Sequence, residues 1–254
     1  MKIFLSALEQ KGKSTFNYIN DNIPSFKWNL MSYFYVRKTN KDIVNKIIEK
    51  SELILIDSGA HSFQKGVVVD WVEYTKEYAK WIKENDCDKI IGYFEMDVDK
   101  VIGYKKVLEL REILESVTDK IIPVWHKNRG VEDFEKMCKK YNGKIVAITG
   151  FRKEDIKDEQ YIKFLKVAKK YNCKVHCLGM TRKSILDKVP FDYTDSSSWS
   201  MQSAFGKVRD KKVSRDMTRG LNLSKAFYEN YLEGMEMQEY YHKKWRFLHK
   251  DLFF

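Results

Sequence analysis

The chain has 254 residues, 43% of them apolar and 14% aromatic, and carries 47 Lys and Arg against 36 Asp and Glu, a net charge of +11. That composition suits one sizeable domain, as a barrel of about 250 residues makes, and excludes a disordered chain or a membrane span. The positive excess favours a polyanionic partner, although a basic soluble surface accounts for it too.

In chain order, Ile3 to Ala7 reads as a first strand. Lys11 to Trp28, with Gly12 and Pro24, reads as an irregular excursion, long for a connection inside a barrel. Asn29 to Val36 is aromatic and fits strand or helix. Thr39 to Asp42 opens a helix that runs to about Lys50. Leu53 to Asp57 is an unbroken apolar run closed by an acid, a strand buried on both faces. From there strands and helices alternate. Strands are expected at Lys89–Asp97, Lys120–His126, Lys144–Gly150, Cys173–Gly179 and Phe191–Asp195. Helices are expected at about 70–84, 104–116, 131–141, 155–171 and 182–186.

A strand about every 30 residues, with amphipathic helices between, predicts parallel βα units. Seven strands are visible, and an eighth is expected between Lys207 and Val213. The fold class is therefore α/β, a (β/α)8 barrel of the TIM type with an added C-terminal helical region. We read residues 1–254 as one domain, with the barrel to about 205 and a basic segment and long helix in 206–254. The cysteines, Cys87, Cys138, Cys173 and Cys177, and an N-terminus without a signal-peptide apolar core read as a cytoplasmic chain with reduced thiols.

In a parallel barrel, chemistry collects at the C-terminal ends of the strands. Those ends carry Asp57-Ser58-Gly59, Glu95 and Asp97, His126, Thr149-Gly150, Gly179-Met180 and Asp195-Ser196-Ser197-Ser198. Period-two alternation puts Tyr93, Glu95 and Asp97 on one face of their strand. Each end alone reads equally as a capped turn or a satisfied core residue. Together they predict a polar pocket.

Five of these pieces resemble the tRNA-guanine transglycosylase superfamily in order and position. They are Ile54–Ala60 (ILIDSGA), Phe94–Asp97 (FEMD), Ile148–Gly150 (ITG), Leu178–Met180 (LGM) and Asp192–Asp195 (DYTD). The stretch Asp57–Gln64 loosely matches the family's Asp-Ser-Gly-Gly-Phe-Gln signature. The resemblance spans about Ile3 to Trp199 and is nearest the phage and bacterial branch that inserts 7-deazaguanines into DNA.

The resemblance implies replacement of guanine by a 7-deazaguanine on the same sugar through a covalent glycosyl intermediate. By motif position, Asp195 would be the nucleophile and Asp57 its acid/base partner. Asp97 or Glu95 would accept hydrogen bonds from the purine edge, with Ser58, Gly59 and His126 nearby. Gly150 and Gly179 would leave room for a flat base under Met180. No cofactor is implied.

The tRNA-acting members carry a Cys-x-Cys-x-x-Cys zinc site that this chain lacks. Cys173 and Cys177 face away from His176 on their strand, so no metal site is expected. Lys207, Arg209, Lys211, Lys212, Arg215 and Arg219 form the densest positive segment and suit phosphate contacts. The expected partners are a DNA or RNA polyanion and a 7-deazaguanine base, with a helper protein or a homodimer left open and no membrane. Open alternatives are the same exchange on tRNA, a small-molecule nucleoside enzyme, and a non-catalytic nucleic-acid-binding subunit.

Overall fold

The apolar run that ends in Asp57 forms β3 (Ser51–Asp57), which pairs in parallel with β2 (Phe26–Ser32) and β4 (Ile90–Phe94). This computed structural model describes residues 1–63, 68–150, 156–214, 216 and 220–248, with backbone alone at 221 and 247. Gln64, Arg215 and Arg219, and the expected start of the helix at Asp155, lie outside the described residues.

The remaining strands are β1 (Lys2–Ser6), β5 (Ile121–Ile122), β6 (Val124–Trp125), β7 (Ile145–Thr149), β8 (Lys174–Leu178) and β9 (Tyr193–Ser196). They run in the order β5-β4-β3-β2-β1-β9-β8-β7-β6, every pairing parallel. The two edges, β5 and β6, flank Pro123 in one extended stretch. Proline has no N–H for the ladder and splits the strand, but its carbonyl still accepts from Ala147 N at 2.9 Å. The sheet thus comes round on itself as a barrel of eight strands.

Alternation along each strand sorts the side chains between two layers. Phe4, Trp28, Leu30, Leu55, Phe94, Ile122, Val124, Ala147 and Tyr193 fill the barrel. Their neighbours, such as Ile54, Ile56, Val146, Ile148, Val175 and Cys177, face outward against the helices.

The outer layer holds α1 (Lys13–Asn22), α3 (Lys41–Lys50), α4 (Trp71–Asn85), α6 (Tyr104–Glu115), α7 (Gly130–Lys140) and α8 (Tyr161–Lys170). Short helices α2 (Tyr33–Val36), α5 (Asp99–Ile102) and α9 (Lys183–Leu186) sit in the connections. Side-chain caps fix two starts: Asn40 accepts from Asp42 N, and Asp70 accepts from Val72 N and Glu73 N.

Two expectations need correction. Lys11–Trp28 is not irregular: Phe16 and Ile19 bury one face of α1, and Gly12 opens it. The missing eighth strand is β2, whose polar Asn29 is satisfied in the interior by Ser51 Oγ at 3.0 Å and Tyr231 OH at 2.9 Å. The 207–213 segment is instead a separate antiparallel hairpin, β10 (Lys207–Val208) and β11 (Lys211–Lys212). Arg209 and Asp210 at its tip have φ of 48° and 61°, the left-handed pair that a tight two-residue hairpin requires.

After α10 (Ser198–Ala204), the long α11 (Gly220–Leu248) takes the eighth helix's place beside α1 and β1. Gln238 Nε2 donates to Ile3 O and Trp28 O at 2.7 Å each, bridging β1 and β2. Gly234 allows the approach, since a Cβ there would meet Leu5 Cδ1 at 2.9 Å.

Candidate active site

The C-terminal strand ends open onto a cavity of about 690 Å³ whose wall includes Glu9, Asp57, His61, Asp97, His126 and Asp195. Among its carboxylates, Asp195, Asp57 and Asp97 reach this mouth from β9, β3 and the loop after β4.

Asp195 is held by one oxygen. Its Oδ1 accepts from Gly179 N at 2.8 Å and from His176 Nε2 at 2.9 Å. No hydrogen bond reaches Oδ2 among the described residues, which leaves that oxygen free to attack or accept. His176 is fully buried in the barrel, its ring against Phe4 and Phe94. Donation to a carboxylate places the imidazole hydrogen on Nε2.

Asp57 closes β3, and its Oδ2 accepts from Gly59 N at 2.9 Å. Gly59 has φ 75°, and a Cβ there would sit 2.4 Å from Phe34 Cβ, so glycine is required on both counts. Enclosure by protein pushes the Asp57 carboxyl up to about 6; the Gly59 N–H and His61 oppose the rise, while Asp195 and Asp97 add to it. Asp57 is therefore set as an acid near neutral pH, in electrostatic contact with Asp195.

Asp97 is clamped between imidazoles, His126 Nε2 on Oδ1 and His61 Nε2 on Oδ2, the latter at 2.8 Å. Burial alone would raise its carboxyl, but the bonds from His126 and His61 hold it well below the usual carboxylate range. The same bond pushes the His61 imidazole up. Asp97, Asp99 and His126 also bring one ligand atom each within 4.8 Å of one another. They would suit a divalent cation only with His126 neutral and turned from its bond to Asp97.

Glu95 does not reach the cavity. Strand β4 ends at Phe94, so the period-two phase is lost before Asp97. Glu95 turns into the outer layer, where it pairs with buried Arg111 (Nε–Oε2 2.5 Å) and accepts from Val124 N. Its expected substrate contact is corrected to a structural ion pair.

The other expected binding residues divide. His126 and Gly179 line the cavity with Asp97. Ser58 is fully buried, its carbonyl accepting from Tyr74 OH at 2.8 Å. Met180 is buried in the outer layer, and its carbonyl accepts from Thr194 Oγ1 at 3.0 Å. Gly150 allows the end of β7 to approach β8, for a Cβ there would lie 2.5 Å from Cys177 Sγ. Ser58, Gly59, Gly150 and Met180 shape the wall from behind.

Lys207, Lys211 and Lys212 sit on the β10–β11 hairpin, outside the cavity. Arg209 at its tip pairs with Glu229 at 3.1 Å and Glu236 at 3.0 Å on α11.

Sequence reasoning missed His176, His61 and Glu9. Alternation in Cys173–Gly179 does turn His176 inward, so that signal was available. Glu9 lies beyond β1 in a polar stretch with no pattern to single it out. No protein-family model matches the chain, and no curated protein matches it significantly.

Proposed function

We propose that this protein is a pentosyltransferase that exchanges guanine for a 7-deazaguanine in DNA, the reaction implied by the likeness of its strand-end motifs to guanine transglycosylases. The observation that carries the reading is that Asp195 and Asp57, assigned by motif, open onto one cavity with different electrostatic character. One carboxylate is oriented with a free oxygen, and the other is set to hold a proton near pH 6.

In this reading Asp195 Oδ2 attacks C1′ of the sugar as the C1′–N9 bond to guanine breaks. Asp57 supplies the proton that the departing purine needs. The incoming 7-deazaguanine returns a proton to Asp57, and its nitrogen displaces Asp195 from C1′, so configuration is retained. Asp97, kept ionised by its two imidazoles, accepts from the donor edge of the base. A guanine inside a duplex would have to be flipped out, and the hairpin lysines would contact phosphates.

The test is release of labelled guanine from DNA, tRNA or a free nucleoside in the presence of a 7-deazaguanine. Release from DNA supports the proposal. Release from tRNA alone or nucleoside alone replaces the substrate, and binding without release from any of them leaves a non-catalytic nucleic-acid-binding role.

A further inference from the structure

Glu9 is a carboxylate that the mechanism above does not use. It lies in the loop after β1, is 2% exposed and lines the same cavity. Its Oε1 accepts from Ser32 N at 3.1 Å and Gln10 Nε2 at 3.4 Å, while Oε2 is buried without a partner among the described residues. Two further residues of the cavity wall carry a buried side-chain oxygen without a partner among the described residues, Ser6 Oγ at the end of β1 and Ser32 Oγ at the end of β2. An unpaired polar atom in the interior is costly, and these three residues share one wall of the cavity.

The loop that carries Glu9 is firmly placed. Thr39 Oγ1 donates to Glu9 O at 3.2 Å, and Trp199 Nε1 donates to Ser6 O at 2.8 Å. Between them Ala7 holds φ 77°, a conformation that costs energy for any residue with a Cβ. Tying down Ser32 N alone would not need an acid, since a glutamine would accept the same bond without the cost of burying a charge. Burial pushes the Glu9 carboxyl up to about 7. Its ionised form lacks the water it would have at the surface and gains from a ligand that donates to it.

We propose that Glu9, with Ser6 and Ser32, forms a second recognition site in the cavity that receives a hydrogen-bond donor of the bound ligand. In ring order β1 and β2 lie between β9 and β3, so this wall stands between Asp195 and Asp57. This rests on the reading of the ligand as a guanine nucleotide: in DNA, whose sugar has no 2′-hydroxyl, the donor is an N–H of the base, and a 2′-OH donor would point to RNA instead.

Equilibrium binding of guanine, hypoxanthine, guanosine and 2′-deoxyguanosine to the wild type, Glu9→Gln and Glu9→Ala tests this. A base donor predicts about tenfold weaker guanine binding in both variants, with hypoxanthine little changed where the donor is the 2-amino group and weakened alike where it is a ring N–H. A sugar donor predicts that guanosine loses about tenfold and 2′-deoxyguanosine little. If both variants bind all four within twofold of the wild type, the proposal is overturned. Glu9→Gln keeps the Ser32 bond, so a purely structural Glu9 would move the melting temperature in Glu9→Ala and no affinity in Glu9→Gln. Ser32→Ala keeps the backbone N–H and serves as a second variant.

If the wild type binds none of the four, the exchange reading fails, and benzamidine and 2-aminopyridine then decide the Glu9 proposal by ligand-observed NMR. Binding that Glu9→Gln removes supports the site. Binding that persists, or none to the wild type, overturns it.

Discussion

His176 Nε2 donates to Asp195 Oδ1 at 2.9 Å from inside the barrel, where Phe4 and Phe94 fix the ring. The imidazole sets which carboxylate oxygen faces the cavity. Removing it would leave Gly179 N as the one donor to Asp195 among the described residues.

His176→Phe keeps a flat ring, one atom larger, and loses the donor. Loss of one hydrogen bond to a charge is about 1.5–3 kcal/mol, so turnover should fall about 10–100-fold. Rates measured beside a thermal melt separate this from unfolding. An unchanged rate would remove His176 from any positioning role.

Glu95 and Arg111 make a separate prediction, because both are buried in the outer layer. Glu95→Gln leaves the guanidinium uncompensated and should cost about 3–5 kcal/mol in urea denaturation. Replacing the pair by Leu and Met should recover most of that stability. Ligand affinity, measured on the folded fraction, should be unaffected by either change.

The raised carboxyls dictate a pH response. Asp57, pushed up to about 6, and Glu9, pushed up to about 7, bind protons more tightly folded than unfolded. The folded state therefore holds more protons between about pH 4 and 7, and their contribution to stability falls as pH rises through that window. Asp97 has the opposite sign, its contribution being lost at acid pH as its carboxylate protonates. Relative to the wild type, the double variant Asp57→Asn, Glu9→Gln should gain several kcal/mol, at most about 5, between pH 4.5 and 8. Denaturation at both pH values checks it, and parallel curves would contradict it.

The barrel was legible because its outward and inward strand faces are both apolar and recur at even spacing. Asp57, Asp97, His126, Gly179 and Asp195 were legible as strand ends. β2 was not, because its buried Asn29 breaks the apolar run and is satisfied only by Ser51 and by Tyr231, 202 positions away. Glu95 misled because it was grouped with Asp97: alternation turns Glu95 outward with Tyr93, and Asp97, past the end of β4, is the residue that leaves that face. Glu9 was invisible because its partner, Ser32 N, comes from a neighbouring strand.

The hairpin charges divide by partner. Arg209 is held by Glu229 and Glu236, so Arg209→Ala should loosen the hairpin and alter nucleic-acid affinity little. Lys207, Lys211 and Lys212, each changed to Ala, should weaken DNA binding. Removing one lysine–phosphate pair should reduce the slope of log affinity against log salt by about 0.9. Titrations between 50 and 200 mM salt read both effects.

The most direct measurement is intact-protein and peptide mass spectrometry after incubation with guanine-containing DNA and no incoming base. Asp195 should carry a sugar adduct that disappears on adding a 7-deazaguanine and never forms in Asp195→Asn. An adduct on Asp57 or Asp97 instead, or exchange that persists undiminished in Asp195→Asn, would contradict the assignment of the nucleophile.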